Sequence, residues 1–202
     1  MRKDGNKKIK IMVGSTVYGF EDQLSTIVSQ LTTMGYGVLN SHTGTIKVNP
    51  ELSNLENCLN AVDECDLFLG IVRPHYGSGN IGEKNITFEE IKRAMELKKP
   101  YWFLVHRDVI FARQLFKKIK TRDNAKKLFD VIDIKPNNLF DYRCIEIYEY
   151  VIKQTVLPEL RNGNWAQEFY RLDEAMAYIN TQFSDREFIM TILKQKEANN
   201  GK

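Results

Sequence analysis

The feature that most constrains this chain is an uninterrupted apolar run, Leu67–Val72, with the sequence Leu-Phe-Leu-Gly-Ile-Val. A strand with one face in water alternates apolar and polar residues, whereas a run that is apolar throughout is typical of a strand covered on both faces. Asp66 and Arg73 flank the run and limit it to the length of a strand. We therefore predict that it forms a central strand of a parallel sheet with helices on both sides.

Strand and helix patterns alternate around this run. Residues 8–13 alternate and then become apolar, which predicts a first strand, and apolar residues at helical spacing follow as far as Gly35. Residues 36–39 and 101–105 predict two further strands, and the capping box at residues 53–56 (Ser-Asn-Leu-Glu) predicts the start of a helix. This alternation favours parallel pairing with right-handed crossovers, so the sequence predicts an α/β protein with a doubly wound sheet.

The last third of the chain has a different pattern. Residues 128–134 predict one more strand, which makes a sheet of four to five strands. Beyond Pro136 the apolar residues recur at helical spacing only, which predicts three helices and no strand. We therefore expect an α/β domain at residues 8–136 and a C-terminal helical extension at residues 137–198, packed on or beside it. The middle helix of the three is predicted from Trp165, Phe169, Leu172, Met176 and Ile179.

The composition excludes several classes of protein. Of the 202 residues, 43% are hydrophobic and 27% are charged, as is usual for a globular protein. No apolar stretch approaches the roughly 20 residues that span a bilayer, and the charged start is not followed by the apolar region of a secretory signal. We therefore expect a soluble, cytoplasmic protein with no membrane partner.

The cysteines and the charge balance also argue against particular ligands. The three cysteines are odd in number, and neither a CxxC pair nor a histidine at metal-ligand spacing accompanies them, so no disulfide framework and no metal site are expected. We interpret Cys58 and Cys65 as core residues. The net charge of +3 is too small to indicate nucleic acid, and the basic residues between 117 and 127 are interpreted as a solvated helix face.

Two loops should form the functional edge of the predicted sheet, because ligands of open parallel sheets bind beyond the carboxyl ends of the strands. The first loop, residues 14–22, lies just before a helix. Four of its residues are assigned to substrate binding: Gly14, Ser15, Thr16 and Tyr18. Backbone amides at a helix N-terminus can receive an anion such as phosphate, although these small residues serve turn formation equally well. The loop is neither a Walker loop nor a GxGxxG fingerprint.

The second loop follows the apolar run, and four of its residues suit a nucleotide or nucleoside. Arg73 could bind phosphate or form a surface ion pair, and Tyr76 could stack on a base. A mobile Gly77 and then Asn85 lead into the next helix. We assign these four residues to substrate binding.

The helix after this loop brings a carboxylate to the same edge. Thr87 begins the pattern Thr-x-x-Glu, which ends at Glu90. This pattern is also a capping box, so Glu90 could simply bond the backbone at the helix start. The functional interpretation makes Thr87 a substrate-binding residue and Glu90 the carboxylate that the helix brings to a site for a nucleotide or nucleoside.

These segments resemble the superfamily that joins TIR domains with nucleoside deoxyribosyltransferases, and more closely an uncharacterised bacterial TIR-like family within it. The resemblance covers about residues 8–135. It rests on Ile-Met-Val-Gly-Ser-Thr-Val at residues 11–17, Cys-Leu-Asn-Ala-Val at 58–62 before Cys-Asp at 65–66, Tyr-Gly at 76–77, and Ile-Thr at 86–87 leading to Glu-Ile at 90–91. It implies a flavodoxin-like fold, and it places the catalytic glutamate of the superfamily's enzymes at Glu90.

The resemblance also implies functions. The leading one is an NAD N-glycosidase, a hydrolase or cyclase for which NAD is the substrate and no cofactor is needed, activated by assembly with itself or a protein partner and acting in bacterial defence against phage. The first alternative is a non-catalytic interaction or nucleotide-sensing module, whose helical tail binds a partner through a face bearing Trp165, Phe169 and Met176. The second is a nucleoside deoxyribosyltransferase-like enzyme.

Overall fold

The computed structural model describes residues 8–77, 80–81, 84–118 and 140–200. The strands are β1 (Lys10–Ser15), β2 (Gly37–Leu39), β3 (Leu67–Val72), β4 (Asn80–Ile81), β5 (Lys84–Asn85), β6 (Tyr101–His106) and β7 (Ala166–Phe169). The helices are α1 (Glu21–Thr33), α2 (Asn54–Glu64), α3 (Ile86–Glu96), α4 (Arg107–Lys118), α5 (Arg143–Val151), α6 (Leu172–Phe183) and α7 (Arg186–Asn200), and a single 3₁₀ turn spans Pro158–Leu160.

Five parallel strands form the main sheet, in the order β2-β1-β3-β6-β7, while β4 and β5 form a separate antiparallel hairpin. The chain places β2 on one side of β1 and then returns to place β3 on the other side, so the strand order reverses between β1 and β3. This order confirms the flavodoxin-like, doubly wound fold. The apolar run Leu67–Val72 is the central strand, and all six of its residues are buried.

The alternation of side chains along the strands divides the core into two layers. On one face, Ile11 and Val13 of β1 pack with the apolar residues of α1, α6 and α7. On the other face, Met12 and Phe68 pack with residues of α2, α3, α4 and α5. The helix α2 begins as predicted, since Ser53 and Glu56 form a complete capping box. The face that carries α2 and α3 is the one on which the candidate site lies.

The strand β7 corrects the expectation that the last third of the chain is all helical. Ala166–Phe169 pairs in parallel with β6, and Phe169 is only 2% exposed. The helix that was predicted to include these residues begins later, at Leu172. A strand of four residues is too short for its periodicity to separate it from a helix, and its pairing with a distant strand decides its conformation.

The residues after 137 complete the sheet and contribute to both layers of the core. Ala175, Ile179 and Phe183 of α6 are fully buried in the layer that contains α1, and Ile189 of α7 joins them. The strand predicted at residues 128–134 lies outside the described residues, and the fifth strand of the observed sheet is β7. Within the part of the chain that the structure describes, no helix is long and apolar enough to cross a membrane.

Candidate functional site

A cavity of about 420 Å³ opens at the carboxyl ends of β1 and β3, where the strand order reverses. This is the crevice in which open parallel sheets bind ligands. Its wall is built from the loop after β1, residues 41–48, the first turns of α2, the loop after β3 and the first turns of α3. The volume lies in the range of small-molecule sites.

Glu90 lies on the inward face of α3 and lines this cavity, although its side chain is only 3% exposed. Burial raises the pKa of Glu90 to about 8, and the neighbouring Cys58 side chain opposes this rise. The cause is desolvation, because an ionised carboxylate loses its hydration in these surroundings. At pH 7 the neutral carboxyl is therefore the main form.

The Glu90 carboxyl occupies space beside Gly14 that a side chain at that position would fill. A Cβ at this position would lie 2.9 Å from Oε2 of Glu90 and 2.9 Å from Cζ of Phe68. Both distances are shorter than real Cβ contacts, so the carboxyl packs directly on the backbone of β1. Gly14 was assigned to substrate binding, and the structure places it against Glu90, outside the residues that line the cavity.

Asn85 caps α3 and determines where Glu90 falls in the helix. Its Oδ1 accepts a hydrogen bond from the Phe88 amide at 2.8 Å, and its Nδ2 donates to the carbonyl of Tyr76. Because Asn85 is the cap, Thr87 is the second residue of the helix and Glu90 the fifth. The alternative in which Thr87 and Glu90 form a capping box is therefore wrong, and the carboxyl is turned toward the sheet.

The loops after β1 and β3 contact one another at the edge of the cavity. Gly77 has a φ of +88°, and a Cβ there would lie 2.7 Å from Cγ2 of Thr16. Tyr76 lines the cavity and is 8% exposed. The guanidinium of Arg143 lies over its ring, 4.1 Å from the ring centre. Tyr18 lines the cavity as well but is 62% exposed.

Arg73 holds the first loop in place. Its guanidinium donates to the carbonyls of Thr16 (3.1 Å), Tyr18 (3.0 Å) and Gly19 (3.2 Å), and it lies 4.3 Å from the ring centre of Phe20. Burial lowers the pKa of Arg73 to about 10. With 7% exposure Arg73 is not a surface ion pair, and it is not among the residues that line the cavity, where it was expected to bind phosphate.

The N-terminus of α1 carries its own negative charge. Its first turn contains Glu21 and Asp22, and Oε1 of Glu21 accepts a hydrogen bond from the amide of Gly19 at 3.1 Å. These carboxylates complement the helix dipole and disfavour a second anion. The structure therefore does not support the expected phosphate contact at this helix. The hydroxyl of Ser15, which lines the cavity, donates to the carbonyl of Thr16 at 3.2 Å.

Three residues of α2 line the cavity although the sequence did not single them out for it: Asn54, Asn57 and Cys58. Cys58, interpreted as a core residue, is indeed buried, with 5% exposure, and it also lines the cavity. Burial and the neighbouring Glu90 raise the pKa of its thiol. The side chain of Asn57 bonds the backbone of Asn49, Leu52 and Ser53, which ties the preceding loop to the helix. Their positions depend on the packing of α2 against α3, which a single sequence does not reveal.

The structure thus brings together most of the predicted site residues. Those in the wall of the cavity are Ser15, Thr16, Tyr18, Tyr76, Gly77, Asn85, Thr87 and Glu90.

The fold and the site define a class of protein: a flavodoxin-like α/β protein with a ligand-sized cavity and a buried carboxyl at the point where the strand order reverses. The family model described as a domain of unknown function, DUF4062, matches residues 10–154, and the chain belongs to this family. The match includes every residue that lines the cavity, whereas β7, α6 and α7 lie beyond it. No curated protein matches the chain.

Proposed function

We propose that this protein cleaves the N-glycosidic bond of a nucleotide, with NAD as the substrate and Glu90 as the catalytic carboxylate. The observation that carries the proposal is the Glu90 side chain, which lines the cavity at the point where the strand order reverses. The resemblance of residues 8–135 to TIR domains and nucleoside deoxyribosyltransferases supports the same reaction.

The chemistry suits a single carboxylate. Breaking the bond between nicotinamide and ribose produces an oxocarbenium-like sugar, whose positive charge an adjacent carboxylate stabilises. Nicotinamide is a cation while it is bonded to ribose and leaves as a neutral molecule, so no strong general acid is required. A positive ligand beside Glu90 also favours its ionised form, which brings the charge to the place where the reaction needs it.

The charges in the wall indicate which part of NAD would enter. Apart from Glu90, the described residues of the wall carry no full charge, and none is lysine or arginine. We therefore place the nicotinamide riboside unit in the cavity and the phosphates at its opening, beside the exposed Tyr18. Nicotinamide riboside and its monophosphate should then be cleaved as well as NAD.

The first experiment incubates the purified protein with NAD at high protein concentration, because the resemblance implies activation by assembly, and follows the release of nicotinamide by chromatography. Glu90→Gln should abolish release. Glu89→Gln is the matched control, because Glu89 pairs with Lys92 at 2.8 Å and is outside the wall of the cavity. Nicotinamide release that persists in Glu90→Gln would refute the catalytic role of Glu90. A role in defence against phage predicts, in addition, that cells carrying Glu90→Gln are not protected from infection.

A non-catalytic interaction module is the second candidate, favoured by exposed apolar side chains. Leu157, Leu160 and Trp165 are 61%, 63% and 72% exposed. The face proposed from the sequence is not present as such, because Phe169 is buried in the core while Trp165 is exposed. On this reading, Leu157→Ser with Leu160→Ser would abolish association and Glu90→Gln would not. Base exchange between deoxynucleosides without NAD would instead indicate a nucleoside deoxyribosyltransferase-like enzyme.

A further inference from the structure

Tyr76, in the wall of the cavity, is held by a residue from the C-terminal part of the chain. The guanidinium of Arg143, the first residue of α5, lies 4.1 Å from the centre of the Tyr76 ring. A cation at this distance is attracted by the electrons of the ring face. Tyr76 is 8% exposed and lines the cavity, whereas Arg143 is not among the described residues that line it. The part of the chain that was expected to be a helical extension therefore supports the site.

A buried carboxylate fixes the Arg143 guanidinium. Nη2 of Arg143 donates to Oδ2 of Asp141 at 2.6 Å, and Nε donates to Oδ1 at 3.0 Å. Asp141 is 5% exposed, and its backbone amide donates to the carbonyl of Pro74 at 2.8 Å. Pro74 lies in the loop after β3, so the ion pair is tied to the same loop that carries Tyr76. A bidentate pair of this kind fixes the plane of the guanidinium before a ligand binds.

The backbone of Tyr76 is held by a separate contact. Its carbonyl accepts a hydrogen bond from Nδ2 of Asn85, whose Oδ1 caps α3 by accepting from the Phe88 amide at 2.8 Å. The same helix carries Glu90. The main chain of Tyr76 is thus tied to the element that delivers the carboxyl, and the contact with Arg143 restricts the orientation of its ring.

Arg143 is not suited to bind the substrate itself. Its guanidinium is paired with Asp141 and lies over Tyr76, and Arg143 is outside the described wall of the cavity. A phosphate would have to compete with the carboxylate of Asp141, which would then be left buried without its partner. An effect of Arg143 on a ligand must therefore pass through Tyr76.

We propose that Arg143 is a positioning residue for Tyr76, whose ring it holds in the wall of the cavity, and that this contact sets the affinity for the substrate. The effect on substrate affinity rests on the proposed function, whereas the effect on the Tyr76 ring does not. Without the guanidinium the ring gains freedom of motion, and a ligand that contacts it must restrict this motion at a cost in affinity.

The first measurement needs no ligand. The flipping rate of the Tyr76 ring is measured by NMR on protein with ¹³C-labelled tyrosine rings, and its signals are identified by their loss in Tyr76→Phe. Arg143→Gln, which can still donate to Asp141, should speed the flips by about tenfold, because flipping no longer breaks the contact with the cation. Arg143→Lys keeps a cation but lacks the planar fork, and should have a smaller effect in the same direction.

Arg113→Gln is the matched control. Arg113 also lies between a carboxylate and a tyrosine: its Nε donates to Oε1 of Glu149 at 2.9 Å, and its guanidinium lies 5.5 Å from the ring centre of Tyr148. None of these three residues lines the cavity. This variant should leave the flipping rate of Tyr76 unchanged. If Arg143→Gln does not fold, Arg143→Lys replaces it.

The second measurement is the affinity for NAD, determined by calorimetry on Glu90→Gln, which should bind NAD without cleaving it. Adding Arg143→Gln should weaken binding by about tenfold, and adding Arg113→Gln should not. In the protein with Glu90 intact, Arg143→Gln should raise the KM for NAD and leave kcat unchanged, as expected of a residue that contributes to binding alone. When Tyr76→Leu is already present, Arg143→Gln should have no further effect on affinity.

The outcomes separate this proposal from the proposed function. If NAD is neither bound nor cleaved, the proposed function fails, while the flipping rate still decides whether Arg143 holds Tyr76. A flipping rate that is unchanged in Arg143→Gln would overturn the proposal. An equal loss of NAD affinity with and without the Tyr76 ring would also overturn it, because Arg143 would then act by another route.

Discussion

The burial of Glu90 makes a specific prediction about stability and pH. The pKa of Glu90 is about 8 in the folded protein, against an ordinary value of 4.5. At a pH between these two pKa values, Glu90 has lost its proton in the unfolded chain but still holds it in the folded protein. Unfolding therefore releases a proton, and the free energy of unfolding falls as pH rises. Glu90→Gln removes the titrating group and with it this contribution.

The magnitude follows from the same two pKa values. Well inside the window, stability changes by about 1.4 kcal/mol per pH unit for one proton. Between pH 5 and pH 7.5, the stability of the wild type relative to Glu90→Gln should therefore fall by about 3 kcal/mol. This is a large fraction of the 5–15 kcal/mol that is typical of folded domains.

Urea unfolding at a series of pH values measures this difference. Trp102 packs against Phe183 and should report unfolding by its fluorescence. Glu56→Gln is the control, because the pKa of Glu56 is lowered by its bonds to Ser53, whereas that of Glu90 is raised. The ionised Glu56 stabilises the folded protein fully at any pH above its pKa in the unfolded chain. The free energy of unfolding of Glu56→Gln should therefore differ from that of the wild type by a constant amount from pH 5 to pH 7.5. If Glu90→Gln also runs parallel to the wild type, Glu90 is ionised in the folded protein and the argument from burial is wrong.

Three further predictions follow from the site. If the reaction needs the carboxylate, kcat/KM for nicotinamide release should rise with pH and level off above about 8, the pKa of Glu90; a profile that falls over this range would contradict that role. Gly14→Ala places a Cβ 2.9 Å from Oε2 of Glu90 and should destabilise the protein by about 1–3 kcal/mol in urea unfolding, together with a loss of nicotinamide release. Arg73→Met leaves the carbonyls of the first loop without their donor and should cost about 1–3 kcal/mol or more; faster proteolysis within residues 14–22 would confirm the loosened loop, and wild-type resistance would argue against it.

The sequence alone determined the features that depend on local pattern. The apolar run Leu67–Val72 predicted the central strand, because a strand that is covered on both faces has no polar position. The alternation of strands and helices predicted the parallel, doubly wound sheet, and this architecture in turn predicted the edge where the cavity opens. Glu90 could be assigned to that edge because it follows β3 by one loop and one helical turn.

The tertiary structure decided what depends on contacts between distant residues. β7 is a strand because β6 offers it an edge, and four residues carry too little periodicity to reveal this beforehand. Arg73 holds a loop more than 50 residues away, and Gly14 is needed for a carboxyl that α3 delivers. Cys58 meets Glu90 only because α2 and α3 pack side by side on one face of the sheet. Burial, which sets the pKa of Glu90, is a property of the folded protein and of no single segment.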